Sequence, residues 1–210
     1  MHGNTHPPIR LEPLLHELYS CLHDGADFEQ PLRLVAAAFR SHMSGLHNED
    51  FNTGRGSLTL IGSMSRDDYL AYVDAYSRRW SGQNLWMERS LEGFLKQGFQ
   101  HGEAVVSERE LIASSYYRHF LRPLDVHYGM GINIGGRDPG QLVLASFHRD
   151  RNAPGFGADD LALIRALRPH LINAHAIHLR IQQAEAGQRS FQALCDHARL
   201  GMILVPQRLQ

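Results

Sequence analysis

Two apolar runs separated by a glycine- and proline-rich turn constrain this chain more than any other feature. In QLVLASFHRD, residues 141–150, apolar side chains occupy both alternating sets of positions, which is typical of a strand covered on both faces. The preceding run, residues 128–136, carries Gly129 and Gly131 inside a strand pattern, which predicts a bulge or the close approach of a backbone or ligand. Between them, GGRDPG supplies turn residues. The sequence therefore predicts an antiparallel hairpin whose second strand is central in a sheet.

A long helix is predicted after this hairpin, opening at Asp159 and Asp160, where acidic side chains favour the positive end of the helix dipole. We expect it to reach about Ala184, with a kink or break at Pro169 because proline removes a backbone donor. Its apolar residues form two stripes, Ile164, Leu167, Leu171, Ala174 and Ile181 on one and Leu161, Ile172 and Leu179 on the other. One stripe is enough to cover a sheet, so the second favours another partner such as a second subunit.

The rest of the chain predicts an α+β order. Apolar periodicity and turn residues predict helices at 11–24 and 28–43, two strands within 43–62, helices at 65–80 and 84–98, a short strand at 101–107 and a mostly helical segment at 108–124. Helices thus precede and follow about five strands, and two helices lie between the second and the third.

Charge and cysteine content exclude several classes of protein. The 210 residues carry a formal net charge of −1, which argues against a chain that holds nucleic acid by itself, since phosphate binding relies on clustered Lys and Arg. Cys21 and Cys195 have neither metal nor disulfide spacing, which favours a reducing cytoplasm. We see neither a signal peptide nor an apolar run of about 20 residues. The sequence predicts a cytoplasmic protein without a membrane partner.

The titratable residues do not form a catalytic or metal-binding pattern. There are 14 histidines, but His170 and His175 on the long helix are five residues apart, which turns their side chains away from each other. The chain has no nucleophile motif, phosphate loop or dinucleotide fingerprint. We therefore expect no metal, no cofactor and no enzymatic activity.

Aromatic residues provide the candidate site. Several from two consecutive helices should point together at the sheet, and convergence of this kind makes either a filled core, which is the commoner outcome, or a pocket. Tyrosine and tryptophan favour the pocket because their polar tips need partners when buried. The candidate ligand-binding residues are Tyr72, Tyr76, Trp80, Trp86 and Phe94 on the helices, and Met130, Ile132, Leu144 and Ser146 on the sheet.

Three segments resemble the GAF/PAS-like sensor region that precedes the helix-turn-helix in LuxR-type transcription regulators. They are YYRHFLRPLDVHYGMG, LVLASFHRDRNAPGF and DDLALIRALRPHLINAHAIH. The resemblance implies a five-stranded antiparallel sheet with helices on both faces and a long C-terminal helix. It also implies a sensor domain at residues 1–185, followed at 186–210 by the start of a connection toward a DNA-binding module that is not present in this chain.

One departure from the family bears on the ligand. Acyl-homoserine-lactone receptors of this family use a Trp-xxx-Tyr pair followed about nine residues later by Asp-Pro, whereas this chain has Tyr72-xxx-Tyr76 and then Asn84-Leu85. Asparagine does not replace a carboxylate acceptor without rearranged donors and acceptors. We therefore expect a sensor for a different small amphipathic ligand, which contacts DNA only through another module. The apolar stripes of the long helix predict that it is a homodimer. The alternative is a structural dimerisation module with no ligand.

Overall fold

The computed structural model describes residues 11–23, 28–61, 66–136 and 140–197. Within these residues the strands form one antiparallel sheet in the order β2-β1-β5-β4-β3. The strands are β1 (Met43–Asp50), β2 (Arg55–Ile61), β3 (Phe99–His101), β4 (Tyr128–Gly135) and β5 (Gln141–Arg149). Helices cover both faces, and a long helix closes the described part. The predicted fold class is confirmed.

The predicted hairpin is formed by β4 and β5, and β5 is central because it pairs with β1 on one side and β4 on the other. Its ladder with β4 contains a bulge between Asn133 and Gly135. The Asn133 side chain accepts a hydrogen bond from the Gly135 backbone N–H at 3.1 Å, which stabilises the irregular backbone there. Residues 137–139 of the connecting turn lie outside the described residues.

Three helices cover one face of the sheet: α1 (Leu11–His23), α2 (Glu29–Ala38) and α6 (Ala158–His197). The four α6 residues that face the sheet are fully buried, namely Ile164, Leu167, Leu171 and Ala174. These are four members of the first predicted stripe, and the fifth, Ile181, is only partly buried. The second stripe is more exposed, with Leu161 and Ile172 partly buried and Leu179 exposed.

Helix α6 continues through Pro169 as one helix and ends at His197, so the predicted break at Pro169 and end near Ala184 are wrong. Proline removes one backbone hydrogen bond, but buried side chains on both sides of it, Leu167 and Leu171, hold the two halves against the same sheet. The connecting segment predicted at 186–210 thus begins as more of this helix, and its residues 198–210 lie outside the described residues.

The opposite face is covered by shorter helices. Helix α3 (Arg66–Ala75) passes into a π-helical turn, Tyr76–Trp80, and a 3₁₀ turn, Ser81–Gln83. Helix α4 (Leu85–Lys96) follows, then α5 (Glu108–Ala113), a second π-helical turn, Tyr117–Leu121, and a 3₁₀ turn, Arg122–Leu124. None of the described helices is both long and apolar enough to cross a membrane.

The strand predicted at 101–107 is wrong beyond its first residue. Here β3 ends at His101, and the chain turns because the backbone N–H groups of Val105 and Val106 both donate to the Gly102 carbonyl, at 3.1 and 2.9 Å. Two consecutive valines favour a strand, but Val106 is instead buried among the aromatic residues of the second face. The local turn therefore prevails over β propensity.

Candidate ligand cavity

A cavity lies between the second face of the sheet and the helices that cover it. Its volume is about 40 Å³, which is below the range of roughly 300–1,000 Å³ for small-molecule sites. This is room for about three waters at roughly 10–15 Å³ each. A larger occupant would therefore require the wall to move.

The cavity wall is mainly apolar with a few polar groups. The apolar side chains are those of Met43, Leu58, Trp86, Met87, Phe94, Phe120, Leu121, Leu124, Val126 and Met130, together with Tyr116. The polar side chains are those of His47, Asn84, Ser90, Gln100, Ser146 and His148. Among these lining residues none is Lys, Arg, Asp or Glu.

Glycines of β4 allow two rings of α4 to form part of this wall. A Cβ atom at Gly129 would lie 2.7 Å from Trp86 Cζ3, and one at Gly131 would lie 2.9 Å from Phe94 Cζ. Both distances are shorter than real Cβ contacts, so only glycine permits this packing. The sequence predicted a bulge or a close approach at these glycines. The close approach is made by aromatic rings, and the bulge lies further along the strand.

The four strand residues predicted to face the site lie on two different faces. Ser146 pairs with Gly131, whereas Met130 pairs with Phe147 and Ile132 with Ala145. Opposite residues in an antiparallel ladder share a face, so Met130 and Ile132 belong to the core beneath α6, although Met130 also contributes to the cavity wall. Met130 and Ile132 thus lie on the opposite face of the sheet from Leu144 and Ser146.

The bulge in β4 sets which of these residues face the cavity. Gly135 pairs with Val143, and a regular ladder from that pair would place Ile132 opposite Ser146. Because the bulge inserts one residue into β4, Asn133 pairs with Leu144. The β4 residues that precede Asn133 have partners in β5 that are shifted by one position in the same way. Of the two cavity-face residues, Ser146 lines the cavity, while Leu144 packs with Phe94 in an adjoining apolar cluster.

The five helical aromatics also divide into two groups. Trp86 and Phe94 line the cavity. Tyr72, Tyr76 and Trp80 pack instead around Phe120, with ring centroids 6.0, 5.6 and 6.2 Å from it. The filled-core interpretation therefore describes these three residues in this structure.

Sequence reasoning missed the segment that closes the cavity, residues 116–126. Tyr116, Phe120 and Leu121 line it, and they lie on or beside a π-helical turn. Their spacing therefore does not follow the period of 3.6 residues on which face assignments depend. The aromatic run YYRHF was the available signal.

A chain of buried polar side chains runs from the start of α4 to the cavity, through Asn84, Tyr76, Glu49, His47, Ser146 and His148; we call it the polar chain. Asn84 caps α4, where its Oδ1 accepts from the backbone N–H groups of Trp86 and Met87 at 3.1 and 3.3 Å. Its Nδ2 donates to the Tyr76 hydroxyl at 3.2 Å, and that hydroxyl donates to Glu49 Oε1 at 2.5 Å. This half of the chain fixes the Glu49 carboxylate beneath the aromatic core.

The other half crosses the sheet from β1 to β5. His47 Nδ1 lies 3.2 Å from Glu49 Oε1, and His47 Nε2 lies 3.0 Å from Ser146 Oγ. Ser146 Oγ also lies 3.0 Å from His148 Nε2. His148 is 8% exposed, and its remaining ring nitrogen, Nδ1, has no hydrogen-bond partner. The polar chain thus ends at an unpaired atom on a residue of the cavity wall.

Burial sets the protonation of two members of the polar chain. Desolvation, and then the nearby Glu49 charge, raise the pKa of Tyr76 well above its usual value, so its hydroxyl keeps its proton. Desolvation by burial is the main cause that lowers the pKa of His148 from 6.5 to about 3. His148 is therefore neutral near pH 7.

Ser146, His47 and Glu49 are connected in the order of nucleophile, base and acid found in serine hydrolases. Acyl transfer also requires donors aimed at the developing oxyanion. The backbone flanking Ser146 is paired on both sides, because β5 lies between β1 and β4. This arrangement orients ring protons, which suits binding better than nucleophilic attack.

No protein-family model matches the sequence, and no curated protein matches it. Solved structures do resemble it. The VqsR LBD domain from Pseudomonas aeruginosa superposes with a TM-score of 0.58 and 19% identity, covering 80% of this chain and 96% of that one. CepR2 from Burkholderia cenocepacia, an N-acylhomoserine lactone dependent LuxR family transcription factor, gives 0.54 and 17%, covering 82% and 96%.

Escherichia coli SdiA gives a TM-score of 0.52 at 10% identity, covering 81% of this chain and 68% of SdiA. At such identities the likeness concerns the fold. The resemblance to the sensor region of LuxR-type regulators is confirmed at that level: this chain has the fold of LuxR-family ligand-binding domains.

Proposed function

We propose that this chain is the ligand-sensing and dimerisation domain of a LuxR-type transcription regulator, and that it binds a small amphipathic molecule in the cavity. The observation that carries the proposal is a mainly apolar cavity whose polar wall ends in an unpaired buried nitrogen. Apolar walls with a few placed polar groups are typical of small-molecule sites. The fold shared with CepR2, which depends on N-acylhomoserine lactone, supports the same function.

The mechanism we infer is a shift between populated conformations. A ligand larger than a few waters must displace part of the cavity wall, so it binds the more open arrangement of the wall and favours it. Strands β4 and β5 carry the cavity on one face and α6 on the other. Movement of these strands therefore reaches α6, through which the domain would act on a DNA-binding module outside these 210 residues.

Acyl-homoserine lactones are poor candidates for this ligand. The Asn84 oxygen accepts two backbone N–H groups and its Nδ2 donates to Tyr76. Asn84 therefore serves the cap of α4 and the polar chain, and presents no free acceptor to a ligand amide. A different small amphipathic molecule suits the cavity better.

Thermal shift with a panel of small amphipathic metabolites, with an acyl-homoserine lactone included, tests the proposal. Binding to the native state alone stabilises it by about 2.7 kcal/mol at a hundredfold excess over Kd. Ser90 is buried on α4 and lines the cavity. Ser90→Leu fills the cavity and should abolish the shift, whereas Ser90→Ala leaves the space and should keep it.

The structural module without a ligand is the second candidate. The packing of Tyr72, Tyr76 and Trp80 as core favours it. It predicts that no compound in the panel raises the melting temperature, and that Ser90→Leu changes only the stability of the protein alone.

The dimerisation part of the proposal rests on the second half of α6. Ile177 and Phe191 are 37% and 46% exposed, and with the partly buried Ile181 they follow one face of the helix. A second copy of the chain would cover these side chains around a two-fold axis. We also propose that the domain acts in the cytoplasm, on the basis of its two unpaired cysteines.

A further inference from the structure

One residue of the cavity wall carries a buried polar atom without a hydrogen-bond partner. His148 is 8% exposed, lies on the central strand β5 and lines the cavity. Its Nε2 is paired with Ser146, whereas its Nδ1 is buried without a hydrogen bond. Leaving a buried polar atom unpaired is unfavourable, because the atom has lost its water and gained no partner. An atom of this kind on a cavity wall indicates where an occupant makes its polar contact.

The direction of the polar chain decides what kind of atom this is, and the direction is anchored at a backbone. Because Asn84 Oδ1 accepts from two backbone N–H groups, its other amide atom must be the nitrogen, which donates to the Tyr76 oxygen. The Tyr76 hydroxyl proton is then directed to Glu49. Glu49 Oε1 is therefore an acceptor.

The same reasoning continues across the sheet. His47 Nδ1 must donate to Glu49, and with one proton on the His47 ring its Nε2 is an acceptor. The Ser146 hydroxyl then donates to His47 Nε2 at 3.0 Å rather than to the Gly45 carbonyl at 3.4 Å. Ser146 Oγ then accepts from His148, which places the His148 proton on Nε2. A neutral imidazole has one donor and one acceptor, so His148 Nδ1 presents a lone pair.

We propose that the cavity selects an uncharged ligand that donates a hydrogen bond, from a hydroxyl or an N–H group, to His148 Nδ1. The inference rests on the proposed function, because it names the chemical class that the same cavity accepts. The specificity then depends on the direction of the hydrogen bonds along the polar chain. That direction is fixed at the Asn84 cap of α4, about 60 residues earlier in the sequence than His148.

The charges around the cavity support the uncharged class. Its lining residues include neither Lys nor Arg to pair with an anion, and neither Asp nor Glu to pair with a cation. Burying an unpaired charge is far more costly than burying a hydrogen-bonded hydroxyl. Burial lowers the pKa of His148 to about 3, so the ring remains an acceptor near neutral pH. The Trp86 ring stacks on His148 at an interplanar angle of 16° and supplies an apolar surface beside the acceptor.

The proton position is tested directly by long-range ¹H–¹⁵N correlation spectra of the histidine rings, assigned with His148→Phe. We expect His148 to carry its proton on Nε2 and to show an unprotonated Nδ1. A spectrum with the proton on Nδ1 overturns the inference, and this readout does not depend on having a ligand.

Matched probes test the selectivity. p-Cresol and p-methylanisole share a ring and differ in the hydroxyl donor, and p-toluate adds a negative charge. By calorimetric titration we expect p-cresol to bind about tenfold more tightly than p-methylanisole, which is the effect of one hydrogen bond to a buried acceptor. Binding of p-toluate should be weaker than that of either neutral probe.

The variant His148→Phe keeps a ring beside Trp86 and removes the acceptor, so the preference for p-cresol should disappear. His16→Phe, at an exposed position of α1, is the matched control and should keep it.

Equal affinity of p-cresol and p-methylanisole for the unmodified protein, or tighter binding of p-toluate, overturns the inference and leaves the proposed function intact. If none of the three probes binds, the proposed function fails together with the inference. Should His148→Phe not fold, the comparison in the unmodified protein and the proton position still decide the question.

Discussion

Arg149 and Asp160 form a buried, bidentate ion pair that connects the end of β5 to the first turn of α6. Arg149 Nη2 lies 2.5 Å from Asp160 Oδ1, and Nη1 lies 3.2 Å from Oδ2. The same guanidinium donates to the Phe39 carbonyl at the end of α2 through Nε and Nη2, at 2.9 and 2.7 Å. One side chain that is 1% exposed thus connects β5, α2 and α6.

The first prediction follows from this pair. Arg149→Met should destabilise the domain by about 3–5 kcal/mol, because it leaves the buried Asp160 carboxylate and the Phe39 carbonyl without their donor. Urea denaturation gives the free energy of unfolding. Arg78→Met is the control, since Arg78 and Asp74 form an exposed pair within α3 and its π-helical extension, and such pairs contribute little. Equal losses in the two variants would contradict the role assigned to Arg149.

The second prediction concerns the glycine beneath Trp86. Gly129→Ala should destabilise the domain by roughly 1–3 kcal/mol, because the added Cβ would lie 2.7 Å from the Trp86 ring and must displace it. The tryptophan emission spectrum should change with it. Gly187→Ala in α6 meets no atom within 4 Å, and should leave the domain equally stable or stabilise it by up to about 1 kcal/mol. An unchanged spectrum in Gly129→Ala would show that the ring does not rest on β4.

The third prediction concerns pH. The pKa of His148 is about 3 in the folded protein, against an ordinary histidine value of 6.5 for the unfolded chain, so the unfolded chain binds more protons at any pH between these values. His148 therefore stabilises the fold above pH 6.5, and this stability is lost progressively as pH falls from 6.5 toward 3.

Well below pH 6.5 this loss amounts to roughly 1.4 kcal/mol per pH unit. Urea midpoints measured from about pH 7 to pH 5 should therefore fall less steeply in His148→Phe than in the unmodified protein. The comparison between the two proteins isolates His148, because the carboxylates and other histidines titrate in both. Parallel profiles would mean that His148 is not buried as a neutral ring.

The fourth prediction concerns assembly. Phe191→Asp should convert a homodimer into monomers, since it places a charge in the exposed apolar face of α6. Leu95→Asp, at an exposed position of α4 that is 64% accessible, should leave the dimer unchanged. Sedimentation velocity distinguishes the two. If the unmodified protein sediments as a monomer at high concentration, the proposed dimer is refuted.

Charged substitutions at Ile164 or Leu171, two residues of the first predicted stripe, would not test the dimer. Both side chains are fully buried against the sheet of their own chain. A charge at either position would unfold the domain before it could separate two subunits.

The sequence by itself determined the elements whose signals are local. The apolar content of β5 on both faces predicted a central strand, and the period of Ile164, Leu167 and Leu171 predicted the face of α6 that covers the sheet. Such patterns depend on residues within one element, because they record how many of its faces are buried. They were enough for the fold class.

Tertiary structure decided the cavity. The bulge near Asn133 shifts the pairing of β4 by one residue, which moves Ile132 away from the face that carries Ser146. The π-helical turns give Tyr76 and Phe120 directions that a period of 3.6 residues does not predict. The polar chain joins side chains of β1 and β5 to the residue that caps α4. Which of these side chains meet depends on strand register and on the helix cap, and not on their spacing in the sequence. A contact between residues distant in sequence exists only once the sheet has fixed their faces, and for this reason the unpaired nitrogen of His148 could not be predicted from the sequence.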